Sequence, residues 1–439
     1  MVKIILFTLI VGLTIQKGFT QTFDKTKLDN YFDTLEANNK FMGSVAISEN
    51  GAIIYTRQIG YSDIDTKIKP DDNTKYRIGS ISKTFTTVLI FKAIDEGKLR
   101  LTDKIDTYFP TIKNANNITI SDLLYHRSGI HDFTANEDYL KWDTEKKSEN
   151  EMIEIISKGG SDFEPGTKTK YSNSNFVLLS YILQDLYKKD YAKLLNEEII
   201  KPIGLKNTYY GKKTNIKDNE CYSYSWKGNW VKEAETDMSI PMGAGAIVST
   251  PGDLTNFANA LFSGKLVPEK DLDLMETLKD NIGMGLFSVP FYDKFGYGHN
   301  GAIDGFTSVM CHFADDNVST ALTSNGTNFD NNEILIALLS AVYDKPYEIP
   351  TFKTFEVTSA DLDKYLGVYS SKQTPLKVTI TKNGNTLIAQ ATGQPSFTLE
   401  ATEKDKFKFD RAGIVLEFNP TDKTMVLKQG GGILNFSKE

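Results

Sequence analysis

Between residues 23 and 38 apolar side chains recur every three or four positions, the spacing that turns one face of a helix toward a core. An alternating pattern follows and predicts strands at about 42–48 and 52–59, joined by Asn50-Gly51, a dipeptide suited to a tight hairpin turn. From Ser80 to about Asn300 helical patterns, including 176–186 and 253–262, are mixed with glycine-rich loops. Strands return at about 305–313 and 320–323, and a helix at about 332–343 closes this part of the chain. Strands at both ends with helices between them predict an α+β domain whose terminal segments pair in a single antiparallel sheet.

The pattern changes at 346–354, a proline-containing stretch that reads as a linker. Beyond it the period is two almost throughout, with short strands expected at 376–381, 386–391, 397–401, 406–410, 414–418, 425–428 and 433–436. Closely spaced strands with turn residues between them, such as Asn383-Gly384, predict a small β-barrel over 355–439. The α+β domain is then expected over 21–345.

Residues 1–20 stand apart. Met1-Val2-Lys3 makes a short positive start, residues 4–15 an apolar run, and Gly18-Phe19-Thr20 precede a plausible cut before Gln21. This reads as a secretory signal peptide, so an exported protein, periplasmic or secreted, is expected. The apolar run is short of the ~20 residues of a spanning helix, and no cysteine follows it to take a lipid, so no stable membrane anchor is expected.

Composition narrows the classes further. At 439 residues, with 40% hydrophobic and 24% charged positions, the chain is an ordinary globular protein long enough for two domains. A net charge of -7 argues against a nucleic-acid partner, which usually demands a basic face. Cys221 and Cys311 fall in no metal-ligand or redox spacing and are expected as buried or free thiols rather than a disulfide.

The candidate chemistry begins at Ser80-Ile81-Ser82-Lys83, the single S-x-x-K of the chain. Residues three apart share a helix face, so the Lys83 amine can reach the Ser80 hydroxyl. Serine is a weak nucleophile until a base takes its proton, and a desolvated lysine can do this without histidine. The same letters also suit a plain helix start, with Ser80 as its cap and Lys83 solvated. Tyr171-Ser172-Asn173 adds a phenol able to take and return protons, as phenolate beside an ammonium, and an amide that can orient the lysine or bind a substrate carbonyl. A turn followed by an asparagine cap accounts for that string equally well.

His299-Asn300-Gly301-Ala302 sets glycine beside a strand edge, where another backbone can approach closely. A backbone N–H here can join that of Ser80 in an oxyanion hole. His299 reads alternatively as a half-buried histidine bonded to a neighbouring carbonyl. In the string from Leu123 to Ile130, His126 reads as a histidine that caps nearby backbone at a helix end. His126 and His131 lie five apart, not at the spacing of a helical zinc pair, and neither a metal nor another cofactor is expected.

Together these strings resemble the serine β-lactamase-related family of class C β-lactamases, D-Ala-D-Ala carboxypeptidases, D-aminopeptidases and related esterases. The resemblance covers about 32–343 and rests on Ser80 with Lys83, Tyr171 with Asn173, and His299 with Gly301, in that order. The strings at 124–129, 201–205 and 243–254 support it. The tail, opening on Tyr365-Leu366-Gly367-Val368-Tyr369, resembles the lipocalin-like accessory domain of some members. The resemblance implies an acyl-enzyme on Ser80, proton shuttling by Lys83 and Tyr171, a substrate amide held by Asn173, and an oxyanion hole from the N–H groups of Ser80 and Ala302. It also implies a small-molecule or peptide substrate, a peptidoglycan stem peptide among them.

One position departs from the β-lactamase pattern. Class C β-lactamases usually carry lysine where this chain has His299. Unperturbed histidine is mostly neutral above about pH 7, so capture of a substrate carboxylate is expected to be weak. The expected activity is hydrolysis of D-amino-acid peptides or small esters, with slow or absent β-lactam turnover. A β-lactamase, and a non-catalytic penicillin-binding sensor with the barrel as its binding module, are the alternatives.

Overall fold

The computed structural model describes residues 24–352, 354–430 and 432–439, and the expected signal peptide lies outside them. Helix α1 (Lys25–Ala37) is capped by Asp24, whose side chain accepts from the Lys27 N–H. It buries Leu28, Tyr31, Phe32 and Leu35 as one stripe. The chain then forms β1 (Phe41–Glu49) and β2 (Ala52–Ile59), turning through Asn50 and Gly51 with φ of 52° and 76°.

Four more strands come from the far end of the domain: β3 (Phe287–Phe291), β4 (Lys294–Ile303), β5 (Phe306–Phe313) and β6 (Val318–Thr327). The sheet runs β2-β1-β6-β5-β4-β3 and is antiparallel throughout, with Val45 opposite Leu322 and His299 opposite Met310. The terminal segments of the domain therefore pair as the sequence predicts. β3 and the start of β4 fall where the pattern predicts loops. Pro290, Gly296 and Gly298 erase the local strand signal there, and pairing across the sheet restores it.

α1 and α5 (Asn331–Val342) cover one face of the sheet. The other face meets α4 (Pro251–Phe262), which shares one core with α2 (Ser82–Asp95) and α3 (Asn173–Tyr187); Phe85 of α2 stacks on Phe257 of α4 with ring centroids 3.6 Å apart. A plain helix start would leave Lys83 solvated, but the structure buries residues 82–91 on every side. Its hydroxyls are tolerated because each finds a partner. Thr84 donates to Gly285 O, Thr86 to Gly243 O and Thr87 to Lys83 O, while Ser82 Oγ accepts from the Ile247 N–H.

Between Val342 and Ser359 the described residues form no helix or strand, yet Tyr347, Ile349 and Phe352 pack onto the cluster around α1. The eight strands beyond are Gly367–Ser370, Val378–Asn383, Thr386–Ala391, Phe397–Glu403, Lys406–Phe409, Ile414–Asn419, Thr424–Gln429 and Gly432–Lys438. They form a closed antiparallel barrel, sealed where Tyr369 pairs with Lys438. The first strand has four residues, too few for alternation to reveal it in the sequence.

An eight-stranded barrel is just wide enough to be filled by side chains or to hold one small ligand. Here Tyr369, Leu399, Phe407, Phe418, Met425 and Phe436 are all buried in its core, which argues against a sensor that binds within the lumen. Lys40, at the head of β1, ties the barrel to the sheet: its side chain is 5% exposed, with Nζ 3.1 Å from Glu400 and 2.8 Å from Asp410. Cys221 and Cys311 are both buried and unpaired.

Candidate active site

Ser80 sits in a single 3-10 turn, Gly79–Ile81, that leads directly into α2. The turn is pressed against β4. Gly79 has a left-handed φ of 49°, and a Cβ there would lie 2.7 Å from Ala302 N. A Cβ on Gly301 would lie 2.0 Å from Ile78 O, a carbonyl that also accepts from Ser308 Oγ at 2.8 Å. Side chains are excluded at both glycines because two backbones meet there. Ser80 and Ala302 line the same cleft as a result.

One turn into the helix, Lys83 is fully buried, and its Nζ has three neighbours. It lies 3.0 Å from Ser80 Oγ and donates to Asn173 Oδ1 and Ala244 O, each at 2.8 Å. Asn173 Oδ1 and Ala244 O can only accept, so a neutral amine spends both of its hydrogens on them. Its lone pair is then left facing the Ser80 hydroxyl, the arrangement a general base needs. Burial supplies the neutral form by pushing the Lys83 amine down to about 7, against an opposing pull from Asp132.

The orientation of Asn173, at the start of α3, is set from behind. Its Nδ2 donates to Asp132 at 3.0 and 3.3 Å and to Thr134 Oγ1 at 3.3 Å. With the amide engaged at both ends, Asn173 orients Lys83, and it also lines the cleft that receives the substrate. Tyr171 lies with its ring 4.8 Å from Lys83 Nζ and its hydroxyl beside Ser80. Burial raises this hydroxyl well above the usual phenol range, against an opposing pull from Ser80. Tyr171 therefore stays a phenol rather than the phenolate the sequence reading allowed, and Lys83 is the better base.

His126 is closer to the chemistry than its string suggests. Its ring stacks on Tyr171 at 4.3 Å, and its Nδ1 accepts from the Ser172 N–H at 3.1 Å. It does cap backbone, and it also supports the tyrosine. His299 points inward, with Nδ1 bonded to Asn300 O and the Phe287 ring edge-on at 4.7 Å. Burial, with Lys83 nearby, pushes it down to about 3, so it is neutral at any working pH. The imidazole does not line the Ser80 cleft.

That cleft has a volume of about 540 Å³. Ser80, Asn173, Ala244 and Ala302 form its floor, with Tyr139, Leu140 and Ile303 as apolar walls. The charged residues lining it are Asp143, Glu233 and Asp304, all acidic. Among the described residues no cluster of histidine, cysteine or carboxylate side chains could hold a metal ion. Asp132, Thr134 and the Ala244 carbonyl belong to the site but carry no motif of their own. Their one sequence signal is that Asp132 and Thr134 follow Ser128-Gly129 closely and that Ala244 lies in the glycine-rich 243–254 string.

The Beta-lactamase family model matches residues 28–343. The chain belongs to the β-lactamase family. Among its relatives is a penicillin-binding protein of Bacillus subtilis (strain 168), 24% identical over 438 residues, an alignment spanning 92% of this chain and 96% of that one. The teichoic acid D-alanine hydrolase of Staphylococcus aureus is 25% identical over 317 residues, spanning 71% and 75% of the two chains. The D-amino acid amidase of Ochrobactrum anthropi SV3, solved with D-phenylalanine, superposes with a TM-score of 0.64 and 26% identity. It covers 72% of this chain and 99% of its own. The octameric penicillin-binding protein homologue of Pyrococcus abyssi shares the fold over 94% of this chain and 100% of its own, with a TM-score of 0.66 and 21% identity. This β-lactamase-family chain is thus a serine hydrolase of the penicillin-binding and D-amino acid amidase type.

Proposed function

We propose that the enzyme cleaves amide or ester bonds of D-aminoacyl compounds through an acyl-enzyme on Ser80, with slow or absent β-lactam turnover. Neutral Lys83 takes the Ser80 proton as Oγ attacks the carbonyl carbon. The carbonyl oxygen gains charge facing the N–H groups of Ser80 and Ala302, at the positive end of α2. The proton then passes by way of Tyr171 to the departing nitrogen or oxygen. Water, deprotonated by the same base, attacks the acyl-enzyme and releases the acid.

The observation that carries the substrate preference is His299. It occupies the place of a carboxylate-binding lysine, yet it is buried, bonded to Asn300 O and neutral. The acidic lining of the cleft adds to this. A substrate carboxylate, as in β-lactams, meets no cation at position 299, whereas a free ammonium meets Asp143, which lines the cleft with no cation partner among the described residues. The D-amino acid amidase and D-alanine hydrolase relatives support the same reading. A sensor needs the same base to become acylated, and it is told apart by a lasting acyl adduct on Ser80 without turnover of any substrate.

The test compares D-alanine p-nitroanilide, a D-Ala-D-Ala peptide, a p-nitrophenyl ester and nitrocefin on wild type and Ser80→Ala. Turnover of the anilide or ester, abolished by Ser80→Ala, is expected. Nitrocefin turnover near the diffusion ceiling would sink the reading. The leading apolar segment supports export, and a mature N-terminus at Gln21 by mass spectrometry is the expected result.

A further inference from the structure

We infer that a cavity opening off the catalytic cleft is a subsite for a phosphate-bearing arm of the substrate, held by Lys146, Lys212 and Lys213. The inference rests on the D-aminoacyl reading above and concerns what the aminoacyl group is attached to. The cavity measures about 650 Å³ and shares Thr144, Glu233, Ala234 and Thr236 with the Ser80 cleft. The two cavities are therefore neighbours, within reach of one extended substrate.

The charges around this cavity are not balanced alike. Arg77 is engaged by Glu235 at 2.7 Å and Asp304 at 2.9 Å, and Glu235 also accepts from the Thr214 N–H at 2.9 Å. Asp237 accepts from the N–H and hydroxyl of Ser239, at 2.9 and 2.6 Å. Glu233 has Lys227 at 3.7 Å. Arg77 and Glu235 are thus committed and Glu233 is near Lys227, while Asp237 is the one carboxylate of the lining with no cation partner among the described residues. Lys146, Lys212 and Lys213 are exposed, and among the described residues none has a carboxylate within ion-pair distance. Three unpaired lysines outnumber the one unpaired carboxylate of the lining, Asp237, and on a chain of net charge -7 such a local excess of cations draws an anion.

Phosphate fits better than carboxylate. A single carboxylate is best met by one bidentate arginine, and Arg77, the arginine lining this cavity, is committed. Lysines act as flexible point charges, and three of them around an open space match the repeated charges of a phosphodiester carrier.

Binding is read first, without catalysis, by titrating the full chain with an unesterified glycerol phosphate oligomer. Wild type is compared with the triple variant Lys146→Gln/Lys212→Gln/Lys213→Gln, whose unchanged unfolding midpoint certifies its fold. Affinity about tenfold weaker in the variant is expected, and loss of binding in about 1 M salt, where the screening length is about 3 Å. Equal affinity in the two proteins, or no binding to wild type, overturns the proposal.

Turnover is read on D-alanyl esters of glycerol, of the glycerol phosphate oligomer and of a carboxylate-bearing alcohol. Wild type should favour the phosphate carrier by about tenfold in kcat/KM over the neutral one, and the variant should not. An equal gain from the carboxylate carrier, or none from phosphate, overturns the phosphate assignment. Hydrolysis of none of the three esters, with the oligomer still bound through the lysines, removes the D-aminoacyl reading and leaves the anion subsite standing.

Discussion

Asn173 Nδ2 donates to both carboxylate oxygens of Asp132, at 3.3 and 3.0 Å, and this decides which end of the amide Lys83 meets. Asp132 does not bond Ser80 or Lys83 itself, so it acts as a positioning residue. Asp132→Asn gives the amide no fixed preference and removes the charge that raises the Lys83 pKa. A fall in kcat smaller than the ~10²–10⁴ expected for losing the base is predicted, together with a shift of the acid limb of kcat/KM to lower pH. A structural role alone would leave that limb in place.

Wild-type activity should follow the ionisation of Lys83. Burial brings the amine from its ordinary value to about 7, so the neutral base grows as pH rises toward that value and dominates above it. In steady-state assays kcat/KM should rise about tenfold per pH unit below about 7 and then level off. Lys83→Arg keeps the charge and removes the base, and should abolish the rise. A flat wild-type profile from mildly acid to mildly alkaline pH would point to a different base.

Gly301→Ala tests the contact between β4 and the nucleophile turn. The new Cβ would fall 2.0 Å from Ile78 O, so the strand must move away and take the Ala302 N–H with it. Losing one oxyanion donor typically costs about 10²–10³ in kcat. That loss is expected with KM little changed, and near-wild-type kcat would remove Ala302 from the oxyanion hole.

Acid should unfold the protein through its histidines. His299 is held near 3, His312 near 4, and His126 well below its ordinary value, all mainly by burial. Each binds a proton more readily when unfolded, so its contribution is complete above about pH 6.5 and is lost as pH falls through the folded values. Urea midpoints should decline from about pH 6.5 downward, and His312→Gln should flatten part of that slope. An unchanged slope in this variant would exclude His312 as a source.

Lys40→Met should loosen the barrel from the sheet. It strands the Asp410 carboxylate, 14% exposed, and removes the partner of Glu400. A loss of roughly 1–3 kcal/mol is expected at this junction. Limited proteolysis between Val342 and Ser359 should accelerate, and an unchanged cleavage rate would show that the apolar contacts of Tyr347 and Phe352 suffice.

Much of the molecule was legible from short-range pattern. The Asn50-Gly51 hairpin, α1, α3 to α5 and seven of the barrel strands obey periodicities that neighbouring residues set among themselves. Ser80 and Lys83 meet because three residues make nearly one helical turn. β3 was hidden because its pairing partner, not its composition, makes it a strand. Asp132 was hidden because it lies 41 residues before Asn173 and belongs to no shared motif.

The sequence by itself determined the order of the elements and singled out Ser80 and Lys83 as the candidate nucleophile and base. It also placed histidine at 299, the departure on which the proposed aversion to carboxylates rests. The tertiary structure alone decided the charge states. Lys83 sheds its proton near neutral pH, Tyr171 stays protonated and His299 is silent because segments far apart in the chain close over them and remove water. Desolvation depends on everything packed around a group, and no local stretch of residues encodes it.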